Sequence, residues 1–374
     1  MPKISLPFGP YHPALGEPEY FQVVVDGENI VAVDFDLGYN YREMEKKVLN
    51  FIWDKATHFL GRICGICSSA HTQAFTLAVE KVNGMEVPPR AKWIRTFGAE
   101  IERISSHLLW LGLFGEMAGF EPLFYLSWGA REHALNILEK FGGRRVHYAY
   151  MAFGGVHQDL KPTPGMEAEL RGLKQKYEEI REMVMASDLL ADRFRGVGVV
   201  TPQQARDYGL VGPTARGSGV NNDIRKDMPY NSYEEHDFTV PIYKGGDSYA
   251  RAMVRLDEIR ESIRILEQIV NGLPKGKLTS VNSFTKSRLG EATQSVEAPR
   301  GENFHFVRAG ELTPQFLRVR PPTFANLSVI PEMLKGRMVS DVPVVISSID
   351  PCFACTDRVI LIDRSDKSIR EVQL

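Results

Sequence analysis

Four cysteines are all that this chain carries, and they fall into two identical spacings: Cys64 and Cys67 within "RICGICSSAH", Cys352 and Cys355 within "IDPCFACTDRV". Four in 374 residues are too few for a secreted disulfide framework, and matched C-x-x-C pairs point instead to metal or redox chemistry. A zinc ribbon also uses two such pairs, but its knuckles normally lie roughly 15 to 20 residues apart so that the metal closes a local loop. Here 285 positions separate Cys67 from Cys352, which disfavours a ribbon. Two thioredoxin-like dithiols are weaker still, because neither pair opens a helix after a clear βαβ pattern. Four converging thiolates would make a soft site that selects late or borderline transition metals. A coordinated thiol is deprotonated outright, so positive charge must offset the clustered anions. Arg62, two residues before Cys64, and Arg358, three after Cys355, flank the pairs at short range, although a plain surface position is the commoner fate of an arginine.

Elements far apart in the chain must bring these pairs together. "YFQVVVDGENIVAVDFDLG" (20–38) holds two β-branched runs around Asp26-Gly27, a dipeptide that accepts the positive φ of a tight turn, and predicts a β-hairpin. Ile94, Phe97, Ile101, Ile104, Leu108 and Leu111 recur at steps of three and four, which predicts a long helix over about 90–117. Leu170, Leu173, Tyr177, Ile180 and Val184 do the same over about 166–190, behind Pro162 and Pro164. A further stripe, Met253, Leu256, Ile259, Ile263, Leu266 and Val270, spans about 248–271 and stops before Gly272. The chain reads as mainly α, in the α+β class: a multi-helix bundle with an N-terminal β-hairpin or small sheet. Between the last two helices lies a polar, glycine-bearing stretch with scattered aromatics (209–251), expected to line a cavity or pack against a partner subunit. With no repeat, low-complexity tract or linker, residues 1–374 read as a single domain.

Composition removes other classes. A chain 43% hydrophobic and 25% charged is that of a folded protein, not a disordered one. A net charge of -2 from 45 basic and 47 acidic residues gives no basic face by count, so nucleic acid is not an implied partner. The N-terminus lacks a basic segment leading into an apolar one, so no general secretory signal is expected. The longest apolar runs, such as "LLWLGLF" at 108–114, fall far short of the roughly 20 residues of a spanning helix.

The two cysteine motifs also carry a family resemblance. "RICGICSSAH" is similar to the N-terminal nickel motif R-x-C-G-x-C-x-x-x-H of nickel-iron hydrogenase large subunits, and "DPCFACTDR" to their C-terminal motif D-P-C-x-x-C-x-x-H/R. The chain resembles in particular the energy-converting membrane hydrogenases related to respiratory complex I. "PFGPYHPALGEPEYF", "EIERISSHLLWLG", "GPTARGSG", "EAPRGE" and "GDSYAR" extend the likeness to that group, or to the quinone-site subunit of complex I, over nearly the whole chain. That subunit lacks the four nickel-binding cysteines, so their presence favours the hydrogenase.

The resemblance implies a hydrogenase large-subunit fold and a nickel-iron centre. Cys64 and Cys352 would be terminal nickel ligands, and Cys67 and Cys355 would bridge nickel to an iron holding cyanide and carbon monoxide. His71 matches the family histidine near the site, though a packed core histidine is an equal reading. Arg300 in "EAPRGE" matches the arginine over the open metal site; flanking Glu297 and Glu302 offer it a plain salt bridge. Glu17 in "ALGEPEYF" occupies the position of the family's proton-transfer glutamate, a role that requires hydrogen-bond reach of the site. His12, Glu100, Glu102, Arg103 and His107 extend this as a possible polar network, although charges on an amphipathic helix usually form its solvated face.

With no cysteine to spare, the resemblance implies a small partner subunit with a [4Fe-4S] cluster, fed indirectly by a ferredoxin-type donor. It also implies further peripheral and membrane-arm subunits, and a peripheral location on the cytoplasmic side of the membrane. The expected activity is 2H+ + 2e- ⇌ H2 coupled to ion translocation. The alternatives are a complex-I-related reductase of sulfane sulfur or quinone, and a non-catalytic scaffold holding zinc on four cysteines. Family members are often trimmed after the C-terminal motif, here after Arg358; the following "VILIDRSDKSIREVQL" is expected to be retained.

Overall fold

The computed structural model describes residues 3–359, 361, 362, 369 and 370. Of the segment after Arg358, only the short pairing of Leu361–Ile362 with Ile369–Arg370 is described beyond Val359, so the expectation of a retained tail lies outside the described residues.

Alternation sets the first sheet. β2 (Tyr20–Asp26) buries Phe21, Val23 and Val25 and turns the residues between them outward. It pairs antiparallel with β1 (Ile4–Phe8), which had no signal in the sequence, and with β3 (Asn29–Asp36). The hairpin turns on Gly27 (φ 64°) and Glu28, with Asp26 opposite Asn29, so the turn sits one residue later than the Asp26-Gly27 dipeptide suggests.

A helical layer carries the core. α1 (Ser68–Asn83) packs on the second sheet, while α2 (Pro89–Met117), α3 (Glu121–Gly142), α4 (Pro164–Ala186) and α5 (Ser248–Gly272) close a four-helix bundle in which each helix touches the next and α5 returns to α2. Ile94, Phe97, Ile101, Ile104, Leu108 and Leu111 of α2 are buried. α4 begins at Pro164 behind a Thr163 cap that accepts from Met166 N, and it ends at Ala186, short of the 190 expected. Ser187 is extended there, and its hydroxyl accepts Leu190 N to start a separate helix, Asp188–Phe194. Asp247 caps α5 by accepting Ala250 N.

The second sheet, unread in the sequence, is β4 (Gly290–Ala298), β5 (Gly301–Ala309) and β6 (Pro314–Arg320), antiparallel in that order. Pro299 and Arg300 form the turn between β4 and β5, since Ala298 pairs with Gly301. That turn meets the 209–251 stretch, which is ordered into Gly212–Arg216, Ile224–Asp227 and a single turn at Tyr233–Glu235. Gly212 (φ 64°) and Gly301 (φ 125°) touch backbone to backbone: a Cβ on Gly301 would lie 2.6 Å from Gly212 N, so neither position tolerates a side chain. Met228, Pro229, Tyr230 and Asn231 of the same stretch line a surface groove, in keeping with the expectation that it borders a cavity.

Candidate metal centre

Both cysteine pairs sit at helix starts, which the sequence reading did not foresee: Cys67 precedes α1, and Cys352 precedes the short helix Phe353–Thr356. No βαβ unit surrounds either among the described residues. The fold closes the 285-position gap, and the four Sγ atoms lie within 4.8 Å of one another, all buried and none in a disulfide. Cys352 Sγ donates to Cys64 Sγ (3.3 Å) and lies 3.0 Å from Cys355 Sγ, which is 3.4 Å from Cys67 Sγ. Hydrogen bonds from Cys352, Cys355 and Cys67 hold the Cys64 thiol well below the usual thiol range, whereas burial pushes Cys355 up. Four soft, dehydrated sulfurs at this spacing form a donor set suited to a thiophilic transition metal.

The cations that serve this cage are not the two flanking arginines. Arg62 turns back to the His58 carbonyl (3.0 Å), and Arg358 pairs with Glu45 (3.0 Å) and the Val319 carbonyl (2.8 Å). Arg300 instead is buried beside the thiols. Its Nη2 donates to Asp350 Oδ1 (2.6 Å), its Nε to the Asp350 carbonyl (2.7 Å) and its Nη1 to Ser106 Oγ (3.2 Å). The neighbouring Glu297 and Glu302 that the sequence offered as partners are engaged elsewhere. Burial opposes the charge on Arg300, but Asp350, Cys352, Cys67 and Cys64 together outweigh it and keep the guanidinium protonated.

Arg42 was missed altogether. Its Nη1 donates to the Arg62 carbonyl (3.1 Å), and its Nη2 to the carbonyls of Ile63 (2.7 Å) and Ala354 (2.7 Å), so one guanidinium grips the residues just before Cys64 and Cys355. Asp357 completes the clamp by accepting the backbone N–H groups of Arg42 and Met44 (both 2.6 Å). No local spacing in the sequence marks Arg42, because its targets lie in two distant segments.

Glu17 reaches the same place from the loop between β1 and β2: its Oε2 accepts Ala354 N (2.9 Å), and burial raises its pKa. His71 is buried on α1, its backbone N–H donating to the Cys67 carbonyl (3.3 Å). Its Nδ1 is 3.3 Å from Nε2 of His305, a second buried histidine on β5, and burial lowers the His71 pKa to about 4, so the ring is neutral. Glu100, Glu102, Arg103 and His107 do not form a solvated face; all four are buried, Glu100, Arg103 and His107 against α5, the second sheet and the 209–251 stretch, and Glu102 against the start of α1, where its carboxylate accepts the backbone N–H groups of Ser69 (2.6 Å) and Ala70 (3.0 Å). His12 does not join them: its ring stacks on Phe8 and its Nδ1 accepts Ala14 N (3.2 Å).

The family described as respiratory-chain NADH dehydrogenase, 49 Kd subunit, matches residues 118–286 and 278–358, and nickel-dependent hydrogenase matches 42–113. Membrane-bound hydrogenase subunit alpha of Pyrococcus furiosus is 37% identical, over 98% of this chain and 90% of its own. The chain belongs to the family of complex I 49-kDa subunits and nickel-iron hydrogenase large subunits. Another relative in this family, an NADH-quinone oxidoreductase subunit of Desulfotalea psychrophila, is 36% identical over 95% of this chain and 96% of its own. Among solved structures, that of the membrane-bound sulfane sulfur reductase, an archaeal respiratory membrane complex, matches with a TM-score of 0.90 and 30% identity over 95% of this chain and 98% of the matched one. Family membership makes the protein an oxidoreductase subunit related to both hydrogenases and complex I. Among the described residues no helix is long and apolar enough to cross a membrane.

Proposed function

We propose that this chain is the catalytic subunit of a membrane-associated nickel-iron hydrogenase, interconverting 2H+ + 2e- and H2, with partner subunits coupling the reaction to ion translocation. The convergence of four unpaired, buried sulfurs within 4.8 Å carries the reading. Cys64 and Cys352 would hold nickel, and Cys67 and Cys355 would hold nickel together with an iron bearing cyanide and carbon monoxide. When bound, the centre supplies the two-electron chemistry of hydrogen. The donor set fits it, since soft thiolates are the preferred ligands and the buried Arg300 offsets their charge.

The remaining roles belong to the chain itself. Glu17 takes and passes a proton at its carboxyl, one residue from Cys355, with burial raising its proton affinity towards the working range. Arg300, locked by Asp350 and Ser106, presents a fixed positive charge at the cage. His71, kept neutral by burial, ties the Cys67 segment to His305. Residues 1–374 act as one domain. Electrons pass to a small subunit with a [4Fe-4S] cluster, because this chain has only the four cysteines already used. Membrane-arm subunits and a ferredoxin-type donor complete a complex whose peripheral part, including this chain, lies on the cytoplasmic side.

Metal analysis and hydrogen assays of the purified complex test the proposal: nickel accompanies the chain, and Cys355→Ser loses both nickel and hydrogen evolution. Zinc in place of nickel, or hydrogen evolution by a nickel-free variant, overturns it. The likeness to the sulfane sulfur reductase structure favours a second reading, reduction of sulfane sulfur at the same cage. Turnover of polysulfide without hydrogen uptake would select that reading.

A further inference from the structure

α5 carries two arginines one turn apart, Arg251 and Arg255, both buried and neither in an ion pair among the described residues. Arg251 finds acceptors for its whole guanidinium. Its Nε donates to Ser348 Oγ (3.0 Å), its Nη1 to the Gly246 carbonyl (2.8 Å), and its Nη2 to the Gly198 carbonyl (2.9 Å) and Ser248 Oγ (3.0 Å). Arg255 does not. Its Nη1 donates to the carbonyls of Arg251 and Ser348 (both 3.1 Å) and its guanidinium lies over the Trp110 ring (4.3 Å), but Nε and Nη2 have no partner among the described residues. Burial pulls its pKa down to about 10, which leaves it charged at neutral pH. A buried guanidinium with two idle nitrogens is costly, because each has given up its bond to water and gained none.

Two carboxylates attract this charge, Asp350 more than Glu258. Glu258 has no oxygen to spare: Oε1 accepts Arg216 Nη2 (2.7 Å), and Oε2 is 2.8 Å from His107 Nε2. Asp350 has one. Its Oδ1 accepts Arg300 Nη2 (2.6 Å), whereas its Oδ2 is buried and without a partner among the described residues. Arg255 is also tied to the segment that carries Asp350, since its Nη1 holds the Ser348 carbonyl and Trp110 beneath it donates Nε1 to the Ser347 carbonyl (2.7 Å). Yet no direct hydrogen bond or ion pair joins Arg255 to Asp350 among the described residues. An idle acceptor on one group and two idle donors on the other, drawn together but not in contact, are what a single buried water satisfies: its oxygen accepts from the guanidinium and one hydrogen goes to Oδ2. An anion would meet repulsion from Oδ2.

The bridge bears on Arg300. The terminal torsion of an aspartate is broad, so one bond on Oδ1 leaves the Asp350 carboxylate free to rock, and the Arg300 guanidinium with it. The bond from Arg300 Nε goes to the Asp350 carbonyl (2.7 Å), which does not set that torsion.

We propose that Arg255 is a positioning residue for Arg300: through one ordered water on Asp350 Oδ2 it fixes the carboxylate that holds the Arg300 guanidinium at the cage, a role that rests on the nickel-iron reading of that cage. Asp350 is then gripped on both oxygens, by Arg300 on one and by the water of Arg255 on the other.

Arg255→Met and Arg255→Lys in the purified complex test this. Both keep an unbranched stem over Trp110, but only lysine keeps the charge and a donor for the water. A cryo-electron-microscopy map of the wild type that shows ordered waters should place one within hydrogen-bond reach of both Arg255 and Asp350 Oδ2. Arg255→Met should keep its nickel, lose the water and lower the carbonyl stretching frequency at the iron, because a buried positive charge is gone. Its hydrogen turnover should fall about tenfold or more. Arg255→Lys should keep the water and restore both the band and most of the turnover, whereas a merely structural arginine would leave the two variants alike. Should Arg255→Met fail to fold, the wild-type map and Arg255→Lys decide. A wild-type complex without nickel or a carbonyl band would defeat the hydrogenase reading and leave the bridge to be judged by the map. A direct ion pair between Arg255 and Asp350, no water between them, or an unmoved band in Arg255→Met overturns the proposal.

Discussion

Replacing Arg42 by alanine removes a side chain that grips the backbone of both halves of the cage. Three donations from its guanidinium end on carbonyls at 62, 63 and 354, at 3.1, 2.7 and 2.7 Å. Charged hydrogen bonds contribute about 1.5 to 3 kcal/mol each, and a partly exposed arginine, whose acceptors water can reach, falls at the low end. Arg42→Ala should therefore cost about 4 to 5 kcal/mol. For a chain of 374 residues at about 2.1 cal/mol/K per residue that is a fall in Tm of about 5 to 6 °C. Arg42→Lys keeps the charge but reaches one carbonyl at a time, so it should recover about 1 kcal/mol. The loss is also local. Cys64 and Cys355 lie one or two residues beyond the carbonyls that Arg42 grips, so maleimide should label the cysteines of Arg42→Ala, below its Tm, at least about tenfold faster than those of the wild type. Equal labelling rates and a Tm within about 1 °C of wild type would refute the clamp.

Three further outcomes follow from the same geometry. Glu17→Gln should lower hydrogen turnover about 100-fold or more while nickel content is unchanged, and full activity in that variant would remove Glu17 from the proton route. Gly212→Ala puts a Cβ onto the carbonyl of Arg300 at a position with φ 64°, so a loss of about 3 kcal/mol together with a disordered Arg300 turn is expected, read by thermal unfolding and activity; an unperturbed variant would show that the Gly212–Gly301 contact is loose. Glu19 is buried, no side chain among the described residues partners its carboxyl oxygens, and burial, opposed in part by the Tyr20 backbone, raises its pKa to about 8. A raised carboxyl pKa favours the folded state below the unfolded value of 4.5, and that advantage is lost as pH climbs through about 8. Glu19→Gln should therefore gain on the order of 2 kcal/mol over wild type between about pH 5 and about pH 9, after allowance for solvent screening, and parallel melting curves across that range would contradict it.

Helical period and turn chemistry made much of the fold legible before any contact was known. The stripes of α2 and α5 repeat over many turns and lie in the core, and the alternation of Phe21, Val23 and Val25 marks a half-buried strand. α3 escaped notice because "EPLFYLSWGAREHALNILEKFG" mixes aromatics and charges without a clean stripe, and Tyr125 and Trp128 are indeed exposed on it. The strands at 290–320 carry Gln, Ser, Glu, Asn and His at inward positions, which hides their period of two. At the site, the four cysteines were readable because thiol pairs are rare and their spacing is rigid. Arg42, His305 and the Asp350 partner of Arg300 were not, since each acts across more than 45 residues of chain and no spacing rule records it.

The polar face of α2 shows why a reading by pattern fails at such a place. Glu100, Arg103 and His107 obey the rule for a solvated stripe in spacing and in residue type, yet they are buried. What replaces water is the 209–251 stretch: its Arg216, Asp223, Arg225 and Tyr233 come from a segment with little regular structure of its own, and they pair with α2 and α5 only once the bundle has closed. Desolvating these charges costs several kcal/mol each unless every partner arrives, so the stretch and the bundle must form together. The Pro299–Arg300 turn is pinned in the same event, because Glu297 of its strand binds Arg216 and Arg300 binds Asp350, beside Cys352. The cage therefore depends on two kinds of closure, a backbone clamp at Arg42 and a buried charge lattice behind Arg300. Mutations far from any cysteine, such as Asp223→Asn, are expected to loosen the lattice and the Arg300 turn with it, seen as faster hydrogen exchange of the backbone around Gly301.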